Sequence, residues 1–323
     1  MNAATKLSAY SAVLALVFGG GWAVGTAVGP LSGAGPASMG AHDGMAGGQC
    51  AGHGDNHSGA VVEEAPTAQP GGPASSRGGY TLTPLDTTLT PGAAEQFAFR
   101  ITGPDGSTVR QFDIEHDKRM HVIVVRRDTT GFQHVHPEMG PDGTWRLQLT
   151  LPAAGPYRAF ADFVPAGGEA TTLGVDLAAP GPFTPAEHQP SRTAQVDGYQ
   201  VRLDGDLVSG QSSPLTLTVS QDGRPVTDLQ PYLAAYGHLV ALRECDLAYL
   251  HVHPDGEPGD GRTRPGPQIV FHAEAPSAGD YRLFLDFQHG GQVRTAAFTV
   301  AAQDGTPQQQ SPPPAHSGHG GHG

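Results

Sequence analysis

Lysine is almost missing from this chain of 323 residues: Lys6 and Lys118 are the only two, and arginine supplies the rest of the 18 positive charges. Against 31 acidic residues this leaves a formal net charge of −13. An acidic chain with no basic patch argues against nucleic acid and anionic membrane surfaces as partners, and is compatible with cations. Cysteine is equally scarce. Two residues, Cys50 and Cys245, cannot build a disulfide framework. Catalytic signatures are missing as well: there is no G-x-S-x-G, no H-E-x-x-H and no phosphate loop, so an enzyme is not expected. Beyond the N-terminal run, no window of twelve residues carries a clean helical stripe. The stretch "DLQPYLAAYG" (228–237) offers one helical turn at most.

What the chain has in excess is glycine (46), proline (29) and histidine (16). The histidine content is roughly double that of an average chain. Much of the glycine and proline sits in the termini. Leu7 to Gly29 is uncharged, follows Lys6, and is followed by no charge until Asp43. Its length suits a spanning helix of about 20 residues better than a short secretory core. Residues 1–29 are therefore expected to be a signal anchor, or a signal peptide if cleaved near Ser32-Gly33-Ala34. With the only basic residue before the run, the rest of the chain is expected outside the cell membrane. Residues 30–78 and 303–323 are rich in Gly, Ala, Pro, Ser and His, cannot bury a core, and read as disordered arms.

Between the arms the chain repeats itself. "MHVIVVRRDTTGFQHVHP" (120–137) and "GHLVALRECDLAYLHVHP" (237–254) have equal length, with three histidines in register. Downstream, "LPAAGPYRAFADF" (151–163) matches "APSAGDYRLFLDF" (275–287). This is an internal duplication. Stretches such as "WRLQLTL", "LTLTV" and "YRLFLDF" alternate apolar and polar residues, the period of half-buried strands, and Asp-Gly pairs mark turns. About seven short strands per ~100 residues predict two tandem immunoglobulin-like β-sandwiches, an all-β fold, over 79–180 and 195–302. A Pro-rich hinge at 181–194 joins them.

Residues i and i+2 of a strand share a face, so His134 and His136 project together. "VVRRDTTGF" turns the chain back and puts His121 on the neighbouring strand. Whether His121 faces the same side depends on hairpin register, since a slip of one residue reverses it. His238, His251 and His253 repeat the pattern. Three imidazoles from adjacent strands can hold zinc or copper, so one divalent ion per sandwich is expected. Hydrogen-bonded structural histidines are the competing reading, and duplication copies either kind of motif. Asp162, Asp286, His116 and His188 carry no functional expectation, and His272 and His289 read as exposed loop residues. A blue-copper centre is not expected: the first repeat has no cysteine, and Cys245 sits at the hairpin turn. In the arms, Met39, His42, Met45, Cys50, His53 and His57, with His316, His319 and His322, combine thioether, thiol and imidazole, a set suited to copper in both oxidation states.

"RMHVIVVRRDTTGFQHVHPEM" and "GRPVTDLQPYLAAYGHLVALRECDLAYLHVHP" resemble a family of actinobacterial exported proteins with this duplicated His-Pro motif, over roughly Gly79 to Ala302. The domains are similar to YtkA-like immunoglobulin-type modules and, more distantly, to periplasmic copper-resistance β-sandwiches. The resemblance implies an extracytoplasmic β-sandwich that handles heavy metal. The ligand pattern of the copper-resistance proteins, with its N-terminal histidine, is not matched. The expected function is a membrane-anchored binder of copper, or zinc, for sequestration or delivery, with a metal-transport protein as a possible partner. The alternative is a structural, adhesion or sensor module without specific metal.

Overall fold

The computed structural model describes residues 70–305, with only the backbone of His251 described in that range. The N-terminal run and the arm residues Met39 to His57 and His316 to His322 lie outside the described residues. Among the described residues there is no helix, and none long and apolar enough to cross a membrane.

Each repeat is a two-sheet, immunoglobulin-like sandwich. In the first, β1 (Ser76–Arg77), β2 (Tyr80–Pro84), β3 (Ala94–Thr102), β4 (His121–Arg126), β5 (Gln133–Val135), β6 (Glu138–Met139), β7 (Trp145–Thr150), β8 (Gly155–Phe163) and β9 (Thr171–Ala179) form sheets in the orders β1-β2-β3-β7-β6 and β5-β4-β8-β9. In the second, β10 (Thr193–Val196), β11 (Tyr199–Asp204), β12 (Leu207–Val208), β13 (Ser212–Gln221), β14 (Arg224–Pro225), β15 (His238–Arg243), β16 (His251–Pro254), β17 (Gln268–Glu274), β18 (Gly279–His289) and β19 (Gln292–Gln303) form β10-β11-β13-β17-β16, with β14 beside β13, and β12-β19-β18-β15. The matched Tyr-Arg pairs explain themselves here. Tyr157 and Tyr281 are buried, and their hydroxyls donate to Ala153 O and Ser277 O, both at 2.8 Å. A tyrosine tied to the backbone just upstream is a recurrent corner of immunoglobulin-like sandwiches.

The two repeats pack against each other. In β4, Val122 and Val124 face the first core, while Ile123 and Val125 face a separate cluster. In β15, Leu239 and Ala241 face the second core, while Val240 and Leu242 join that same cluster. Phe160, Leu247 and Phe284 complete it, and Phe132 stacks on Phe284 at 4.1 Å with 7° between the rings. This seam explains why "HVIVV" and "HLVAL" are apolar on both faces: strands covered on both sides read as continuous hydrophobic runs. "YRLFLDF", expected to be half-buried, is covered on both faces of β18 for the same reason.

Residues 70–77 depart from the expected disordered arm. Gly71 pairs with Tyr249 of the second repeat, while Gly72 N–H donates to Thr172 O of the first at 3.1 Å. Arg158 donates to Gly72 O and Pro73 O, both at 2.7 Å. The segment thus crosses the seam, its backbone groups satisfied by both repeats. The hinge is tied down too: Ala186 N–H and His188 Nε2–H donate to Asp128 Oδ2 and Asp128 O, both at 2.8 Å.

Gly72 has φ +85°, and a Cβ there would lie 2.5 Å from the Phe160 ring. Gly72→Ala is expected to cost about 2–4 kcal/mol, from left-handed backbone and overpacking together. Gly106→Ala, at φ +78° in open space, should cost only about 1–2 kcal/mol. Urea denaturation of the two variants checks the difference.

Candidate metal centre

The β4–β5 register is Val122↔Val135, Ile123↔His134 and Val124↔Gln133. Continued by one residue, it sets His136 opposite His121. Opposed residues and i, i+2 residues share a face, so His121, His134 and His136 project together on the seam side of β4. Their nitrogens converge. His121 Nδ1 lies 3.0 Å from His134 Nε2 and 3.2 Å from His136 Nε2. One nitrogen from each ring falls within 4.8 Å of the others.

The outer nitrogens are committed elsewhere. His121 Nε2–H donates to Glu115 O at 3.0 Å. His134 Nδ1–H donates across the seam to Asp286 Oδ2 at 2.9 Å, with both side chains nearly enclosed (6% and 4% exposed). Those bonds set the tautomers and leave the lone pairs of His121 Nδ1 and His134 Nε2 pointing at each other. Two lone pairs 3.0 Å apart repel unless a cation, a proton or a metal ion, lies between them. Imidazole nitrogens sharing a tetrahedral ion at ~2.0–2.1 Å stand about 3.3 Å apart, close to the spacings found. The donor set therefore fits zinc or copper.

A strained turn holds the leading histidine of each His-x12-His-x-His motif, His121 and His238. Glu115 and Lys118 exchange both backbone bonds at 2.9 Å, with His116 at φ 45° and Asp117 at φ 61° between them. Tyr232 and Ala235 exchange both bonds too, at 2.8 and 3.2 Å, around Leu233 (φ 52°) and Ala234 (φ 59°). The helical turn expected within residues 228–237 is thus a tight reversal, which needs left-handed backbone at both central positions. At non-glycine residues that costs roughly 1–2 kcal/mol each. The reversal delivers Glu115 O to His121, and Tyr232 O and Leu233 O to His238 Nε2–H at 2.9 and 3.0 Å.

Burial pushes His121 down to about 3, against a bond from Glu115 O that raises it, with the neighbouring histidines adding to the fall. Burial, then His134 and Lys118, lowers His136 to about 4. Burial, then His116 and His134, lowers His238 to about 4. These rings are neutral at pH 7, the form a metal ion requires.

His238 lies across the seam, its ring 6.1 Å from His134 and 5.0 Å from His116. Two residues without a functional expectation thus belong to the neighbourhood. His116 is drawn in by the turn, and Asp286 by the packing of the repeats. The second repeat does not copy the first. His253 is exposed and sits on the other sheet, directly opposite His272. The physical reason is where the chain leaves its hairpin: residues 133–135 pair with β4, whereas 251–254 pair with β17. His251 opens β16 opposite Glu274. Among the described residues one three-histidine cluster exists, in the first repeat; the side chain of His251 lies outside the described residues. His289 is no loose loop residue: it accepts from Tyr199 OH at 2.7 Å and donates to Asp228 at 3.1 Å.

The depressed histidines have a stability consequence. Their folded values lie below the unfolded ~6.5, so the unfolded chain takes up protons first. The stability they contribute is present above about pH 6.5 and is lost as pH falls through about 4. The urea midpoint of the metal-free protein should therefore drop steeply from pH 7 to pH 5, and less steeply in His238→Gln.

The domain described as "Domain of unknown function (DUF8832)" matches the chain twice, over residues 75–180 and 194–304. No curated protein matches. Solved structures similar to the chain include a Salmonella alpha-2-macroglobulin mutant (13% identity, 72% of this chain and 15% of that one, TM-score 0.25). Others are the Escherichia coli adhesin FdeC (16%, 70% and 65%, TM-score 0.23) and invasin, a bacterial integrin-binding protein (12%, 70% and 40%, TM-score 0.20). The chain spans less than two thirds of each.

Proposed function

The chain belongs to the DUF8832 family through both repeats, and on that premise we propose that it is an extracytoplasmic, membrane-anchored binder of copper or zinc, serving sequestration or delivery. The observation that carries the reading is the convergence of His121 Nδ1, His134 Nε2 and His136 Nε2 with their outer nitrogens held by Glu115 O and Asp286. Three imidazoles leave a fourth coordination position, and half-buried His136 is the ligand on the accessible side. An ion there is held firmly on two ligands and can be passed on through the third. The arm residues Met39, His42, Met45, Cys50, His53, His57, His316, His319 and His322 add capture groups, and the N-terminal run supplies the anchor. A metal-transport protein is the partner such a role needs. The resemblance to YtkA-like and copper-resistance sandwiches agrees with this reading.

A second reading is a non-catalytic structural, adhesion or sensor module. The apolar seam favours it: Ile123, Val125, Val240 and Leu242, with Phe132 on Phe284, set the two sandwiches as one unit, as a spacer or docking arm requires.

Calorimetric titration separates the two. A chain trimmed to residues 70–305 is expected to bind one zinc or copper(II) ion. His136→Ala should weaken binding at least tenfold, while His253→Ala leaves it unchanged. An untouched isotherm in His136→Ala, or no binding in the parent, would favour the structural module.

A further inference from the structure

The metal reading credits the first repeat with all three ligands, yet one bond to the triad comes from the second. Asp286 lies on β18 directly opposite His238 of β15 and is 3% exposed. Its Oδ1 accepts from Thr295 Oγ1–H at 2.5 Å on the neighbouring strand. Its Oδ2 accepts from His134 Nδ1–H at 2.9 Å, across 152 positions of sequence. Both carboxylate oxygens are thus engaged, and the group cannot turn without breaking one of these bonds.

Resting on the metal reading, we propose that the site is owned jointly by both repeats: the first supplies the ligands, and Asp286 of the second is the positioning residue that makes His134 a ligand. Three consequences follow from the chemistry. The carboxylate fixes the proton on Nδ1, so the lone pair of His134 is at Nε2, toward His121. It offsets positive charge that an ion places on the imidazole. It also holds the ring orientation, since a ring pinned at one nitrogen cannot flip. Carboxylates behind metal-bound histidines act in this way, and their removal typically costs roughly 10- to 100-fold in affinity.

This gives the duplication a use that a second copy of the ligands does not. The repeat contributes an orienting group from outside the sandwich that carries the ligands. It also couples two equilibria. Whatever tightens the seam tightens the ion, and by thermodynamic reciprocity an ion at the triad tightens the seam. Phe284 stacks on Phe132 two residues from Asp286 on one strand and two from His134 on the other, so the apolar contact and the polar one are adjacent parts of the same junction.

The test uses the full chain, with zinc as the probe and a chromophoric chelator in competition, so that the arms are common to every variant. Asp286→Ala is expected to lower triad affinity roughly 10- to 100-fold. Asp286→Asn, which keeps an acceptor oxygen, should fall less, and Thr295→Val should fall in the same direction. Asp176→Asn, an exposed surface carboxylate paired with Arg158, controls for net charge and should match wild type. Thermal midpoints with and without zinc separate folding from binding: the rise caused by zinc should shrink in both Asp286 variants. Wild-type affinity in Asp286→Ala and Asp286→Asn, alongside loss in His136→Ala, would overturn joint ownership and leave the metal reading standing. Equal binding by wild type and His136→Ala would instead remove the metal reading, and this inference with it.

Discussion

The packing of β4 against β15 through their outward faces is the constraint from which the rest of the molecule follows. A sandwich strand ordinarily buries one face and wets the other. Here Ile123 and Val125 meet Val240 and Leu242, and Phe284 and Leu247 fill the space between. Nothing polar can stand in that layer without a partner. The polar groups that do enter it, among them His121, His134 and Asp286, accordingly bond to a turn carbonyl or to a partner across the seam. The same burial keeps His121 and His238 neutral, the form in which an imidazole can bind an ion.

Local strain is spent where the seam needs it. Non-glycine residues in left-handed backbone sit at matching positions of the two repeats, His116-Asp117 and Leu233-Ala234, and each turn delivers a carbonyl to the histidine that opens the following strand, His121 or His238. Strain of this kind persists only where surrounding structure over-determines it, and packing at the seam supplies that. Gly72, under the Phe160 ring, shows the same economy on the other side.

Much of this was legible in the sequence. Alternation in "WRLQLTL" and "LTLTV" identified strands, the gapless duplication identified two sandwiches, and the His-x-His-Pro spacing singled out the histidines that converge. What escaped has two physical origins: a contact between repeats leaves no periodic mark, and strand pairing within a repeat turns on a single residue of register. Hairpin parity of His121 depends on a single residue of register. The role of Asp286 depends on a neighbour 152 positions away. The doubly apolar runs of β4 and β15 were visible, but they do not say which face meets the core and which a second domain. The exit of residues 251–254 onto β17 likewise depends on which sheet offers the next free edge. That choice broke the symmetry the sequence suggests.

The central claim is that three imidazoles at this seam share one ion. The most direct measurement is a crystal structure of the zinc-loaded protein with anomalous scattering at the zinc edge. The account predicts one peak at the seam, about 2.0–2.1 Å from His121 Nδ1, His134 Nε2 and His136 Nε2, with His134 Nδ1 still bonded to Asp286. Zinc found only on the arms or on surface residues such as His253, with the triad unchanged, would contradict it.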